Sequence, residues 1–292
     1  MRLVAIGGDM RMNGAVLAAR RCGWEAEWLK GDEASPPRGF AEAVLLPWPR
    51  SFADGRLSCA PPGEGIDRER ALSLVPPCSV LLHGAGVQPG DLPQAEATLD
   101  PSRDEAFLRK NARLTAEGAI ATAMREKRRA LLGSTCLVTG FGRIGQELTA
   151  RLCAMGAFVI VCARSEAQMR AAHAMGAHPV PLAQVASAAG QADVLFNTVP
   201  ARVLGAEALA RIGRDALLLE LASAPYGADI DEAVRMGINL RLESGLPGRY
   251  APNEAGEALF ETVQRSLTGA ERAAQKARED APGTEQGGKS DG

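Results

Sequence analysis

Short apolar runs and amphipathic segments alternate along most of the chain, and this pattern predicts repeated strand-helix units. In the first hundred residues the repeat begins with a strand, a Gly7-Gly8-Asp9 turn and a helix that ends at Gly23. This part of the chain therefore predicts a small α/β domain. Its predicted elements are strands at 2–7, 26–29, 43–47 and 79–83, helices at 13–22 and 67–74, and a Pro- and Gly-rich stretch at 51–65.

A long helical pattern follows, and it predicts a connector between two domains. Ser102 with Glu105 three residues later forms a capping-box signature, a break is predicted near 111–115, and Gly133 can end the pattern. Beyond that glycine, strands and helices alternate strictly, which is typical of a doubly wound parallel sheet. The predicted elements are strands at 135–139, 158–162, 194–197, 216–221 and 239–242, and helices at 143–155, 166–175, 182–189, 206–212, 230–236 and 253–267.

Composition and charge narrow the class of partner. The chain has 33 Lys and Arg against 35 Asp and Glu, so no bulk field attracts nucleic acid or an anionic membrane, and a small molecule or another protein is favoured. The apolar runs are too short to cross a bilayer or to form a signal-peptide core, so a cytoplasmic location is expected. The 6 cysteines contain no C-x-x-C pair, and we interpret them as reduced, without a disulfide framework or a metal site.

The strongest chemical signal is a glycine-rich motif that directly follows the apolar run at 135–139 and opens the next helix. In such a motif the first glycine allows a tight turn, the second lets the backbone approach a pyrophosphate, and the third lets helix and strand pack closely. A glycine-rich turn without a ligand is the alternative. The context favours an α/β fold with a doubly wound parallel-sheet Rossmann domain plus a smaller N-terminal α/β domain. The motif is Gly140, Phe141, Gly142, Arg143, Ile144 and Gly145.

The tip of the next strand indicates which dinucleotide binds. NAD is usually held there by an acidic residue about 20 positions after the glycines, whereas this chain has Arg164 and Ser165. Arg164 can pair with the 2′-phosphate of NADP, and Ser165 can donate a further hydrogen bond. Alternatively, Arg164 is a solvated loop residue and Ser165 only caps the following helix. We predict NADP as the cofactor.

Later strand ends fall at the same edge of the sheet, where the ribose and nicotinamide of a cofactor are expected. Polar groups there predict contacts after two strands, and the loop after the last strand is predicted to close over the nicotinamide. The alternative is that these segments are ordinary turns. The predicted contacts are Asn197, Thr198, Pro200, Ala222, Ser223, Leu246 and Pro247.

Together the motifs resemble the family of dipicolinate synthase A subunits from spore-forming bacteria, co-linearly from the first strand to about Leu267. The family pattern has Asp where this chain has Glu220 and a second Gly where it has Tyr226, which leaves the shape of that loop open. The resemblance is carried by Gly7-Gly8-Asp9 with Arg11, Asn111-Ala112, Thr115-Ala116-Glu117-Gly118-Ala119-Ile120, Gly140-Phe141-Gly142-Arg143, Asn197-Thr198 with Pro200, Leu221-Ala222-Ser223 with Pro225, and Gly245-Leu246-Pro247-Gly248 with Ala251-Pro252 and Ala255-Gly256-Glu257.

The resemblance implies one component of dipicolinate synthase, which acts in sporulation beside a flavoprotein-like B subunit. The implied reaction starts from a hydroxylated tetrahydropyridine dicarboxylate of the lysine pathway, or from the dihydrodipicolinate that loss of water gives, and passes a hydride to NADP to form dipicolinate. The corresponding domains are a substrate-side domain at 1–101, a helical connector at 102–133 and an NADP-binding Rossmann domain at 134–268. A tail at 269–292 has almost no large apolar residues and is predicted to be disordered. Whether the chain forms a homo-oligomer is left open.

A dicarboxylate substrate needs cationic or amide donors, and its oxidation needs a group that takes a ring proton. We expect these groups at a cleft between the two domains. Glu117 and Asp9 are the candidate proton acceptors, although composition alone favours a helix-surface acid at Glu117, and Asp9 is equally well explained as a helix cap. The predicted substrate-binding residues are Gly8, Arg11, Thr115 and Arg249.

Two other functions share this plan. An NADP-dependent dehydrogenase of the 2-hydroxyacid or shikimate type has the same two domains, but a 2-hydroxyacid dehydrogenase needs a histidine late in the second domain, and the three histidines here are His83, His173 and His178. A non-catalytic NADP-binding subunit would carry the same cofactor loop, so only an assay separates it from an enzyme.

Overall fold

The chain folds into two compact units in the computed structural model. One unit comprises Met1–Arg103 together with the chain from Gly256 onward, and the second comprises Asp104–Ala255. The second unit is therefore an insertion within the sequence of the first. The structure describes residues 1–31, 34–59, 65–88, 90–92 and 94–279.

The first unit is built on a parallel sheet whose central strands are apolar and buried. Its elements in chain order are β1 Arg2–Ile6, α1 Met10–Arg21, β2 Glu25–Leu29, β3 Ala41–Leu45, β4 Phe52–Ala53, β5 Arg56–Leu57, β6 Ile66–Asp67, α2 Arg68–Ser73, β7 Cys78–Leu82 and β8 Ala95–Leu99. Five strands form the order β2-β1-β3-β7-β8, and β4, β5 and β6 form a small antiparallel sheet. Parallel strands covered on both faces read as continuous apolar runs, which is why β1, β3 and β7 were predictable.

Sequence analysis missed β8 and the small sheet. Strand β8 reads Ala-Glu-Ala-Thr-Leu and lies largely exposed at the sheet edge, so it lacks the buried apolar run that marks the other strands. Strands β4 and β5 lie within the stretch at 51–65 that was predicted only as Pro- and Gly-rich, and residues 60–64 of that stretch lie outside the described residues.

The second unit contains a six-stranded parallel sheet with helices along both faces. Its elements are α3 Glu105–Lys127, β9 Thr135–Thr139, α4 Arg143–Ala154, β10 Phe158–Ala163, α5 Glu166–Ala174, β11 His178–Pro181, α6 Val185–Ala189, β12 Val194–Asn197, α7 Ala206–Leu209, β13 Leu217–Glu220, α8 Ile230–Arg235, β14 Leu240–Leu242 and α9 Leu246–Tyr250. The order β11-β10-β9-β12-β13-β14 is 3-2-1-4-5-6 when the strands are counted within the unit, the order of dinucleotide-binding folds. The predicted fold class is confirmed.

Helix α3 groups with the second unit rather than standing as a separate connector. Asp104, and not Ser102, caps it, because the Asp104 carboxylate accepts hydrogen bonds from the Ala106 and Phe107 amides at 2.9 and 3.2 Å. The break predicted near 111–115 is wrong. The helix continues there because one of its faces is buried in the core of the unit.

The last helix, α10 at Pro252–Glu279, continues beyond the end predicted at Leu267. From Gly256 the chain groups with the first unit, whereas sequence analysis assigned it to the Rossmann domain. A side chain at Gly256 would overlap the backbone of α1, and the rings of Trp24 and Phe260 meet edge to face at 5.2 Å. The tail predicted from residue 269 is thus helical as far as Glu279, and residues 280–292 lie outside the described part. No helix in the described residues is long and apolar enough to cross a bilayer.

Candidate functional site

A cavity of about 340 Å³ lies in the second unit at the carboxyl ends of β9, β10 and β12. The strand order reverses between β9 and β12, and parallel α/β sheets bind ligands at such a switch point. Eight of the predicted cofactor contacts line this cavity. They are Gly140, Phe141, Gly142, Arg143, Ile144, Arg164, Thr198 and Pro200.

The three motif glycines have three different local roles. Gly140 has φ +88°, a backbone conformation that favours glycine. A Cβ there would also lie only 2.7 Å from both Thr198 Oγ1 and Val199 Cγ2, so there is no room for a side chain. A Cβ at Gly145 would overlap the Gly140 carbonyl oxygen, so this glycine lets α4 pack against the motif. Gly142 has open space around its missing Cβ, which leaves the backbone accessible to a ligand.

The N-terminus of α4 faces the cavity without a side-chain cap. Gly142 occupies the N-cap position and has no side-chain oxygen to cap the helix. The N–H groups of the first helical residues are therefore left to donate to a ligand. The Arg143 side chain turns to Glu105 of α3, with Nη2 2.6 Å from Oε2. The residues present therefore fit an anionic pyrophosphate through backbone amides rather than through the Arg143 guanidinium.

Arg164 lines the cavity at the tip of β10 with its side chain exposed. No hydrogen bond or ion pair holds its guanidinium within the described residues, so its charge is available to a ligand. The neighbouring carboxylate of Glu166 pairs with Arg170 at 3.3 Å. Ser165 caps α5 by accepting a hydrogen bond from the Gln168 amide at 3.3 Å, and it does not line the cavity.

The end of β12 carries a fully buried polar network. The Thr139 hydroxyl donates to Asn197 Oδ1, and Asn197 Nδ2 donates to Glu220 Oε1 at 2.6 Å and to the Val199 carbonyl at 3.1 Å. Asn197 was predicted to contact the cofactor, but its side chain is completely buried and bonded within the protein. Thr198 lines the cavity, with its hydroxyl donating to the Thr139 carbonyl at 2.8 Å.

The Glu220 carboxylate at the end of β13 is 1% exposed and accepts four hydrogen bonds. Besides Asn197, its donors are the backbone amides of Ala222 at 3.0 Å, Gly227 at 3.1 Å and Ala228 at 2.9 Å. Burial raises the pKa of the Glu220 carboxyl, and these hydrogen bonds act in the opposite direction. Every lone-pair direction of the carboxylate is in use, so Glu220 organises the loop and contacts no ligand.

The loop after β13 does not reach the cavity. Ala222 and Ser223 were predicted to contact the cofactor, but neither lines the cavity, because the loop folds back onto Glu220. Tyr226 adopts φ +61°, a left-handed conformation that favours glycine. The turn therefore has the backbone shape that glycine prefers, although this chain carries tyrosine there.

The segment after the last strand forms a helix instead of the predicted loop over the nicotinamide. Leu246 and Pro247 begin α9, both are buried, and neither lines the cavity. A Cβ at Gly118 of α3 would lie 3.0 Å from Leu246 Cβ and 3.1 Å from Tyr250 Cδ2, so this glycine sets the close packing of α9 on α3. The predicted contacts of Leu246 and Pro247 therefore receive no support from the geometry.

Helix α3 supplies cavity residues that sequence reasoning missed. Leu108, Asn111 and Ala112 line it, a spacing that places them on one helix face. The half-buried Asn111 amide has no hydrogen-bond partner in the described part of the chain. Asn111-Ala112 carried part of the family resemblance but received no role. The remaining unpredicted lining residues are Cys162, Gln168, Leu182 and Val199.

Cys162 lines the cavity as a buried thiol. Burial raises its pKa to about 12, so the sulfur stays protonated near neutral pH and is a poor nucleophile. All 6 cysteines are free in the structure. Cys162 therefore contributes apolar surface to the cavity.

Glu117 lies away from the cavity, on the outer face of α3. It follows Leu108 by nine residues, and at about 100° per residue this turns it half a revolution from the cavity face. Its carboxylate is 58% exposed and pairs with Arg151 at 3.2 Å. Thr115 is buried, and its hydroxyl donates to the Asn111 carbonyl at 2.8 Å. The geometry favours the helix-surface interpretation of Glu117, and neither Glu117 nor Thr115 lines the cavity.

Asp9 and Arg11, in the first unit, pair with each other. Arg11 Nε lies 2.8 Å from Asp9 Oδ1 and Arg11 Nη2 lies 2.8 Å from Oδ2, and the same carboxylate caps α1 by accepting from the Arg11 amide at 3.0 Å. Burial alone would raise the pKa of Asp9, but the hydrogen bonds and charge of Arg11 outweigh it and hold the pKa below its usual value. Asp9 is therefore a weak base, and the Arg11 charge is already balanced.

The two other predicted substrate groups are also engaged. The Gly8 amide donates to the Ser58 carbonyl at 2.8 Å, and Arg249 pairs with Glu243, whose side chain is 6% exposed. Sequence reasoning could not foresee these pairings because the partners are distant in the chain or lack a motif. The predicted substrate ligands are thus held by the protein itself.

The strand order and the cavity place the second unit among Rossmann-type domains, the fold of nicotinamide-dinucleotide-binding proteins. Residues 106–231 match the family described as D-isomer specific 2-hydroxyacid dehydrogenase, NAD binding domain. This match supports an oxidoreductase of the 2-hydroxyacid dehydrogenase type and a nicotinamide cofactor. It begins inside α3, in agreement with the grouping of this helix with the second unit.

More particularly, the chain is similar to the A subunit of dipicolinate synthase. It is 34% identical over 153 residues to that protein from Bacillus subtilis (strain 168), a match that spans about half the length of each chain, 52%. Two solved structures are similar over nearly the full length. The A subunit of dipicolinate synthase from Bacillus halodurans matches with a TM-score of 0.76 and 26% identity over 91% of this chain and 97% of that one. The A chain from Bacillus subtilis matches with a TM-score of 0.75 and 24% identity over 94% and 97%. The resemblance inferred from the sequence is confirmed.

Proposed function

We propose that this chain is the A subunit of a dipicolinate synthase, an NADP-dependent oxidoreductase that makes dipicolinate in sporulating cells. The observation that carries the proposal is the joint presence of the glycine-lined cavity, with unpaired Arg164 at its rim, and a similarity to dipicolinate synthase A subunits that extends over nearly the whole chain. The proposed cellular location is the cytoplasm.

The proposed reaction removes two hydrogens from dihydrodipicolinate, which forms when the hydroxylated tetrahydropyridine dicarboxylate loses water. Bound NADP would supply the hydride acceptor, and with the release of one proton the ring would become aromatic, giving dipicolinate, NADPH and a proton. The amides at the start of α4 would hold the pyrophosphate, and Arg164 would pair with the 2′-phosphate. Thr198, Val199 and Pro200 form the wall of the cavity beyond the motif.

We further propose a flavoprotein-like B subunit as partner. The similar proteins are named as A subunits, which supports a complex with at least one other chain. None of the three histidines lines the cavity, so the cavity itself does not favour the alternative 2-hydroxyacid reaction. A non-catalytic NADP-binding role is the other possibility that an assay must separate.

The test is an absorbance assay for reduced nicotinamide. Purified chain and NADP are mixed with dihydrodipicolinate, with and without a dipicolinate synthase B subunit, and D-lactate serves as the comparison substrate. Reduction with dihydrodipicolinate supports the proposal. Reduction with D-lactate alone would assign the 2-hydroxyacid reaction instead, and tight NADP binding without reduction in any mixture would assign the non-catalytic role.

A further inference from the structure

One buried hydrogen-bond network joins the loops that follow three neighbouring strands of the second unit. Thr139 ends β9, Asn197 ends β12 and Glu220 ends β13, and all three side chains are essentially inaccessible to solvent. The network contains a carboxylate with no positively charged partner in the described residues, a costly arrangement unless every lone pair is satisfied. Asn197 and three backbone amides satisfy it.

The network fixes one wall of the cavity through Asn197. Val199 is held by this one side chain at both of its backbone groups, since its carbonyl accepts from Asn197 Nδ2 at 3.1 Å and its amide donates to Asn197 Oδ1 at 3.3 Å. A Cβ at Gly227 would overlap both the Asn197 amide and the Val199 carbonyl, so the loop after β13 closes tightly over the same group. The position of the wall therefore depends on the orientation of the Asn197 amide.

Glu220 sets that orientation. An ionised carboxylate only accepts hydrogen bonds, so it requires the NH₂ group of Asn197 to point toward it and the carbonyl group to point toward Thr139 and Val199. A glutamine at this position would present an NH₂ group of its own to donors that need an acceptor. Whichever way the glutamine side chain is oriented, at least one buried donor loses its acceptor or the Asn197 amide must turn. Either result moves the loops.

We propose that Glu220 is a positioning residue of the dinucleotide site, which through Asn197 fixes the wall formed by Thr198, Val199 and Pro200. This inference rests on the proposed dinucleotide binding. The wall follows β12, whereas Arg164 follows β10 on the opposite side of β9. Glu220 therefore acts on a part of the site that would contact NADP and NAD alike. It does not act on the part that would bind the 2′-phosphate, which only NADP carries.

The test compares Glu220→Gln with Glu243→Gln, which makes the same change at another buried carboxylate of the same unit, away from the cavity. Binding of NADP and of NAD is measured by calorimetry on protein whose circular dichroism shows it to be folded. Glu220→Gln is expected to weaken both dinucleotides at least tenfold, and Glu243→Gln is expected to leave both within twofold of the parent. Unchanged affinity in Glu220→Gln, or a loss confined to NADP, would overturn the inference.

Thr139→Val tests the same network if Glu220→Gln does not fold. Valine keeps the shape and removes only the hydroxyl that donates to Asn197, while the Thr139 carbonyl still accepts from Thr198. We expect both dinucleotides to bind at least threefold more weakly, and unchanged binding would contradict the inference. A parent protein that binds neither dinucleotide would overturn the proposed function itself, which distinguishes the two failures.

Discussion

Arg164 is a cation that no group of the described protein neutralises, and its position at the tip of β10 makes it the proposed determinant of cofactor choice. We expect Arg164→Ala to weaken NADP by about 1.5–3 kcal/mol, the range of a hydrogen bond to a charged group, because the 2′-phosphate loses its partner. NAD lacks that phosphate and should be affected less than twofold. Calorimetric titration of both dinucleotides measures the difference.

The matched control is Arg170→Ala on the following helix, since Arg170 pairs with Glu166 and does not line the cavity. It should leave both affinities unchanged. Equal losses for NADP and NAD in Arg164→Ala would show that the guanidinium does not read the 2′-phosphate.

Asp9 is a structural group that caps α1 and pairs with Arg11. Its pKa lies below the ordinary value of 3.8, so its ionised form is favoured in the folded state. The resulting stabilisation is present above that ordinary value and is lost as the pH falls through the lower folded pKa. We expect Asp9→Asn, which keeps a capping oxygen, to lose about 1–2 kcal/mol near neutral pH and less in acid.

Urea unfolding followed by tryptophan fluorescence measures this effect, because all 3 tryptophans lie between residues 24 and 48 and report on the first unit. Asp67→Asn is the control, since Asp67 also caps a helix, by accepting from the Glu69 amide at 2.9 Å. A difference between parent and Asp9→Asn that grows toward acid would contradict the assignment.

Helix α3 lines the cavity with one face and carries an exposed ion pair on another. Asn111 and Glu117 are six residues apart in the same uninterrupted helix, yet only Asn111 lines the cavity. We expect Glu117→Gln to leave turnover within twofold of the parent and to cost at most about 0.5 kcal/mol, because its ion pair with Arg151 is exposed.

Asn111→Ala should instead weaken dinucleotide binding, because it removes a half-buried amide from the cavity lining. Steady-state kinetics with the calorimetric affinities compare the two variants. A large fall in turnover for Glu117→Gln with unchanged cofactor affinity would restore Glu117 as the proton acceptor.

The two units have separate cores, and every residue that lines the cavity belongs to the second. A ligand stabilises the unit that binds it, by about 2.7 kcal/mol at a hundred times its dissociation constant. We therefore expect NADP to shift unfolding detected by far-ultraviolet circular dichroism more than unfolding detected by tryptophan fluorescence. Equal shifts with both probes would show that the units unfold as one.

The order of strands and helices in the second unit could be predicted because each buried parallel strand is a continuous apolar run, and β9 and β12 have the predicted bounds. The glycine motif was equally readable, since its function depends on local backbone geometry. Short or exposed elements such as β11 and α9 were not predicted. Strand β11 contains two prolines, and the apolar residues of α9 resemble a loop when their packing on Gly118 is unknown.

The doubly wound fold, the dinucleotide motif and the arginine at the tip of the next strand could be inferred from the sequence alone, because each depends on residues close together in the chain. Which polar residues are free to meet a ligand, and whether that arginine is paired, followed only from the tertiary structure. It paired Asp9 with Arg11 and Arg249 with Glu243, buried Asn197 against Glu220, and turned Glu117 outward while bringing Asn111 to the cavity. A side chain's availability is set by the partners that folding brings to it, and these partners are either distant in sequence, as Glu220 is from Asn197, or near in sequence without forming a motif, as Glu243 is to Arg249.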